Sequence, residues 1–310
     1  MIGETSLENL YLQDRQGPER VVVLGEVLWD VFPHARRLGG APLNFAVHAT
    51  RLGHPVSLVS ALGDDELGRE AAHAIAALGL NTSLLQTAHG FPTGTACVEL
   101  GPEGRTRFLI PRPAAYDGIL TPPGLLELLA RQQPGWLYFG TLLASRAEGR
   151  AVLDRMLDAL PKASRFYDLN LRPGNDSPRL VLDLMERADV VKLNEEELHT
   201  VREFSGLPEP IEQFCREGSR RFGWRAVCVT LGERGCALLV DEEYAEAAGH
   251  PVDVADPVGA GDAFAAAFLH GLISKWPVET IASFANRVGA LVASRHGAIP
   301  DWTFEEVVQP

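Results

Sequence analysis

Short apolar runs and helix-spaced stretches alternate along most of the chain, and that rhythm predicts a parallel sheet with helices on both faces. Val21 to Gly25 reads as a first buried strand. Asn44 to Leu52 and Glu66 to Leu78 have the spacing of helices, and Pro55 to Ala61 between them reads as a strand. Further buried strands are predicted at Trp136 to Phe139, Arg165 to Asp168, Val190 to Leu193 and Ala226 to Thr230, each followed by turn residues and a helix-forming stretch. Such a series builds one doubly wound α/β domain, whose ligands bind at the carboxyl ends of the strands.

One segment breaks the rhythm. From Thr95 to Ile110, two alternating runs flank Gly101-Pro102-Glu103-Gly104, with Ala96, Val98, Leu100, Thr106, Phe108 and Ile110 on one face. That pattern predicts a β-hairpin, which has no place in a parallel sheet and either projects as a flap beside the ligand cleft or decorates the surface. Residues 1 to 19 are polar and turn-rich and read as a disordered leader, which leaves the domain to 20–310.

With 46% hydrophobic and 22% charged residues, the 310-residue chain has the composition of a globular domain with a full core. Its 28 basic and 41 acidic side chains give a net charge of -13, which repels nucleic acid and anionic membranes at long range. An anionic small ligand therefore requires helix N-termini and a few placed cations to make a locally positive pocket. Cys97, Cys215, Cys228 and Cys236 form no CxxC pair and have no histidine at finger spacing, so neither a zinc site nor a disulfide framework is expected. No run of about 18 apolar residues and no secretory signal pattern occurs, so the expectation is a cytoplasmic protein without a membrane span. His48, His54 and His296 have no spaced partner and read as packing or surface residues.

Chemistry concentrates at Asp256-Pro257-Val258-Gly259-Ala260-Gly261-Asp262-Ala263-Phe264. A Gly-Ala-Gly turn opening into a helix leaves several amide groups unpaired where the helix dipole favours negative charge, and Asp262 stands at the same helix start. Taken alone, Asp262 reads more readily as a helix N-cap than as a functional carboxylate. Two other segments bear on the choice. Gly39-Gly40-Ala41-Pro42-Leu43-Asn44 lets a ligand approach the backbone and offers an amide to a hydroxyl. Asp30, five residues beyond Gly25 and just past the first strand, can accept hydroxyl hydrogen bonds from a polyol.

In this order and spacing the three segments resemble the ribokinase-like, or PfkB, family of carbohydrate kinases, over about Val21 to Pro300. The resemblance implies a mainly parallel doubly wound fold with a small β lid, formed from about 31–42 and 93–114. It implies Asp262 as catalytic base, Gly259, Ala260 and Gly261 as anion hole, and Asp30, Gly40 and Asn44 as sugar ligands. The run Lys192 to Glu197 resembles the family's Asn-x-x-Glu element, which implies that Lys192, Asn194 and Glu197 serve ATP and Mg2+, largely through water. Thr230, Gly232 and Gly235 resemble its nucleotide loop, and Asn286 stands where the adenine pocket is lined. Many members bind a monovalent cation, and ungapped matching implies a K+ site from Asp256, Val258, Val292, Arg295 and Gly297, with Asp301 where a hydroxyl residue is more usual. The wording Gly25-Glu26-Val27-Leu28-Trp29-Asp30, and Pro92-Thr93-Gly94-Thr95, is most similar to the fructokinase branch. Asp168-Leu169-Asn170-Leu171-Arg172 is shared with 2-keto-3-deoxygluconate kinases, and Arg172 is expected to meet a substrate carboxylate or the transferring phosphate. Fructose phosphorylation at the 6-hydroxyl is thus the leading expectation, followed by another sugar or sugar-acid kinase, a nucleoside kinase, and a non-catalytic sugar-binding regulator. The partners expected are the sugar and ATP, with a homodimer formed through the lid's apolar face.

Overall fold

The structure is a computed structural model that describes residues 18–100, 106–172 and 176–308. Among the described residues thirteen strands run in chain order as β1 (Val21–Leu24), β2 (Leu28–Phe32), β3 (Ala35–Gly39), β4 (Val56–Gly63), β5 (Leu85–Ala88), β6 (Gly94–Leu100), β7 (Thr106–Leu109), β8 (Trp136–Gly140), β9 (Ser164–Asp168), β10 (Val190–Asn194), β11 (Ala226–Thr230), β12 (Cys236–Val240) and β13 (Glu243–Ala247).

Because β1 is apolar at every position, it is stable only between two layers, and that is where it lies: Val21 and Val23 join one hydrophobic cluster, Val22 and Leu24 the other. Nine strands share this sheet in the order β13-β12-β11-β10-β9-β8-β1-β4-β5. All neighbours are parallel except the β11–β12 and β12–β13 pairs, which are antiparallel. On one face pack helices Ala41–Arg51, Ala260–Ile273 and Val278–Ala293, the second of which carries Ala263, Ala265, Ala266 and Ala267 fully buried. Small residues there allow close approach: a Cβ added to Gly271 would come within 2.8 Å of the Ile281 side chain.

The chain leaves the main sheet after β1 and enters a second sheet of four strands, ordered β3-β2-β6-β7. β6 and β7 form the expected antiparallel hairpin, and β2 joins it in parallel through the register Asp30 to Ala96. The tip of that hairpin, 101–105, lies outside the described residues, as do 1–17 of the expected leader. The small sheet spans 28–39 and 94–109, because from Ala41 onward, with Pro42 in the first turn, the backbone winds into a helix rather than continuing the sheet. Asp30 therefore sits within a strand of the small sheet.

No helix among the described residues is long and apolar enough to cross a membrane. His48 is buried and bonded to Ala298 O and Trp302 Nε1. His54 is buried as well, its Nε2 3.0 Å from Nδ1 of His270, 216 residues away in the chain.

Candidate active site

Between the two sheets lies a cavity of about 260 Å³. β2 and β6 contribute Leu28, Asp30 and Ala96 from the small sheet, while the carboxyl ends of β10 and β11 contribute Asn194 and Thr230. Three helix starts complete the lining: Gly40 and Ala41, Asn194, and Gly259 with Gly261 and Asp262. Their dipoles place partial positive charge in an otherwise acidic protein, which is what an anionic ligand needs here.

Two glycines make the close approaches possible. Gly259 has φ +82°, and a Cβ on it would stand 2.4 Å from Ala298 O; Gly40 has φ +108°, with Glu26 O at 2.7 Å from the same hypothetical atom. At the Gly259 turn the Ala260 amide donates to Pro257 O and the Ala263 amide to Gly259 O. The Gly261 and Asp262 amides are left without a backbone acceptor among the described residues.

Asp262 is 9% exposed and accepts a 2.8 Å hydrogen bond from Asn44 Nδ2 on Oδ2. Burial, reinforced by the nearby Asp168 carboxylate, pushes its pKa from 3.8 up to about 7 against the pull of Lys192, the Asn44 bond and Arg172. Behind it runs a buried network in which Lys192 Nζ donates to Asp168 at 3.0 and 3.3 Å and Tyr138 Oη donates to Asp168 Oδ2 at 3.0 Å. Burial alone would lower the Lys192 pKa, but Asp168, Glu197 and Asp262 outweigh it and hold the ammonium charged. A Cβ on Gly261 would lie 3.4 Å from that ammonium, so the fixed cation adjoins the unpaired amides.

On the side of the small sheet, burial raises the Asp30 pKa to about 6, with Arg172 opposing, Asp256 adding and Arg37 subtracting. Arg37 on β3 pairs with Asp256, which also accepts the Val258 and Gly297 amides at 3.1 Å. One carboxylate thus ties the small sheet to the loop that leads into Gly259.

The profile of the pfkB family carbohydrate kinases matches residues 19–304. The chain belongs to this family. Fructokinase-1 of Zea mays is 31% identical over 322 residues, covering 94% of this chain and 98% of the relative. Fructokinase of Xylella fastidiosa, solved with bound ATP, superposes with a TM-score of 0.78 at 25% identity over 93% of this chain and 97% of the other. The fold is also similar to 2-dehydro-3-deoxygluconokinase of Thermotoga maritima, with a TM-score of 0.82 at 20% identity, covering 94% and 97% of the two chains.

Of the residues expected from the pfkB motifs, Asp30, Gly40, Asn44, Arg172, Lys192, Asn194, Thr230, Val258, Gly259, Gly261 and Asp262 line one cavity. Others lie outside its lining. Glu197 is buried, its two oxygens accepting the Leu171 and Asn194 amides at 2.8 Å, while Asn194 Oδ1 accepts the Glu197 amide in a reciprocal helix cap. Asn286 donates to Ala247 O and Ala248 O, tying helix Val278–Ala293 to the end of β13. Gly232 and Gly235 belong to the turn between β11 and β12. Asp256, Val292, Arg295 and Gly297 form the adjoining strip, where Val292 O accepts the Arg295 amide at 3.0 Å and Ala293 O accepts the Ala255 and Asp256 amides. Sequence reasoning missed Glu26, Asn170 and Asp168 as site residues. Each stands in a stretch whose wording resembles the kinase branches, but no role was drawn from it; the positions of β1 and β9, whose carboxyl ends they follow or form, are the physical signal that marks them.

Proposed function

We propose that this chain transfers the γ-phosphate of ATP to a hydroxyl of a neutral sugar, with fructose, giving fructose 6-phosphate, as the leading substrate. The observation that carries this reading is a single one: Asp262, the Gly261 and Asp262 amides, Lys192, Asn44 and Asp30 border the same cavity.

Asp262 takes the proton of the acceptor hydroxyl as the new O–P bond forms and ADP departs. Asn44 holds Oδ2, which leaves Oδ1 for that proton. A base with a pKa near 7 is about half ionised at neutral pH and binds a proton well, which suits this role better than an ordinary surface carboxylate. The helix start and Lys192 stabilise charge on the phosphate oxygens, and the lid, fastened through Arg37 and Asp256, limits access of water. A purely sugar-binding regulator has no use for a costly buried carboxylate beside unpaired amides.

Magnesium, when bound with the nucleotide, neutralises phosphate charge. The oxygens of Asn194 and Glu197 each already accept an amide and keep a lone pair for water, so they fit a hydrated ion better than direct ligation. A K+ ion suits carbonyls of Asp256, Val258, Val292, Arg295 and Gly297, since the Asp256 side chain draws the two segments together.

Arg172 in the cavity favours a second reading, a sugar acid such as 2-keto-3-deoxygluconate. We rank it lower because Lys192 is already neutralised by Asp168, leaving Arg172 to face Glu26, Asp30 and Asp262. A substrate carboxylate would enter a site with an excess of negative charge. The deciding experiment measures ADP release with fructose, 2-keto-3-deoxygluconate, ribose and adenosine, and identifies the product by NMR. Higher kcat/KM for the sugar acid than for fructose would reverse the ranking, and absence of ADP release with every acceptor would defeat the kinase reading.

A further inference from the structure

A buried carboxyl oxygen without a partner is costly, so in a ligand cavity it marks a contact that the ligand completes. Glu26 is 6% exposed and lines the cavity, yet its Oε2 has no hydrogen-bond partner among the described residues. Its position is fixed by the crossing from β1 to β2, where Gly40 packs against its carbonyl. Burial holds the Glu26 pKa above the ordinary carboxylate range, although its own backbone, Arg172 and Arg112 pull the other way. The fold gains nothing from such a group, since an apolar side chain would be cheaper to bury.

A donor borders the same space. Asn170 Nδ2 is buried and unpartnered among the described residues. Its backbone is held at φ 46°, a left-handed conformation that asparagine tolerates better than other non-glycine residues. Asn44 Oδ1 is a third buried atom without a partner there. Two acceptors and one donor around one cavity match a ligand with several hydroxyls, because each hydroxyl donates once and also accepts.

We infer that Glu26 and Asn170 are specificity residues that bind the sugar's non-reacting hydroxyls, Glu26 through Oε2 and Asn170 through Nδ2. They act apart from the hydroxyl presented to Asp262. The inference rests on the sugar-kinase reading above.

Glu26→Gln keeps the side chain's shape while replacing one carboxyl oxygen by an amide nitrogen, and Asn170→Gly keeps the left-handed backbone while removing the amide. The acceptor is whichever sugar the unmodified enzyme phosphorylates with the highest kcat/KM. Each variant should raise KM for that sugar about ten- to a hundredfold, with KM for ATP changed less than about twofold. Monodeoxy analogues supply the readout that a structural role would not move. The analogue lacking the hydroxyl bound by Glu26 should cost the unmodified enzyme about tenfold or more in kcat/KM, and cost Glu26→Gln almost nothing further. Unchanged sugar KM in both variants, or equal rises in KM for sugar and ATP with an unaltered analogue pattern, overturns the inference. If Glu26→Gln does not fold, Asn170→Gly and its own analogue pattern decide. Preference for a sugar other than fructose ends only the fructose assignment, whereas an unmodified enzyme that phosphorylates no sugar ends both.

Discussion

Asp262→Asn separates catalysis from stability, because the burial that suits Asp262 to the proposed role of base also makes its ionised form costly. The substitution keeps the size of the side chain and an oxygen to accept from Asn44 Nδ2, now at 2.8 Å. It removes the proton acceptor, so kcat should fall about 10²- to 10⁴-fold while KM for the sugar changes little. Stability should move in the opposite direction. A carboxyl whose pKa is 3.8 unfolded and about 7 folded binds more protons in the native state between those values, so stability declines as pH rises through that window. At about 1.4 kcal/mol per pH unit, the full displacement is a ceiling of about 4 kcal/mol. Asn carries none of this cost. The variant should therefore melt several degrees above the unmodified protein at pH 8, and that gain should shrink at pH 5, where Asp262 is already protonated when folded. Differential scanning calorimetry at both pH values, with coupled ADP release, tests both halves. A kcat within tenfold of the unmodified enzyme, or a Tm gain equal at both pH values, would refute the reasoning.

Other outcomes follow from the same geometry. kcat/KM for the sugar should fall as pH drops below about 7, where Asp262 takes a proton, and more steeply below about 6, where Asp30 does; a flat profile between these values would exclude both carboxylates from the free enzyme's essential groups. Gly259→Ala forces a left-handed backbone on a residue with a Cβ and drives that atom against Ala298, so urea unfolding should show a loss of about 2 kcal/mol or more, with activity falling alongside. Burial depresses the His54 and His270 pKa values from 6.5 to about 4 and about 3. Their contribution is intact above pH 6.5 and is lost as the unfolded chain takes up protons below it, up to about 3 kcal/mol for His54. In His54→Gln the urea midpoint should therefore depend less on pH between 6.5 and 4.5; an unchanged slope would remove His54 from the acid response.

How much could be read from the sequence depended on whether a feature is local. β11 was expected at Ala226 to Thr230 and lies there, because a buried parallel strand is a short apolar run bounded by polar turns. The Gly259–Asp262 turn was legible for a similar reason, since a helix start is encoded within a few residues. The small sheet was only half legible: the β6–β7 hairpin shows in its alternation, whereas the antiparallel β2–β3 pair joins it only through the parallel pairing of β2 with β6, a long-range contact with no local mark. The same distinction explains the site. Asp168 looked like the end of a strand until the fold set it against Lys192 and Tyr138, and Glu26 looked like one more residue after a glycine. A buried polar atom without a partner is defined by what every other part of the chain fails to supply, so it becomes visible only when the packing is known. Periodicity could indicate where a ligand is held; the unsatisfied groups around it show only in the packed fold.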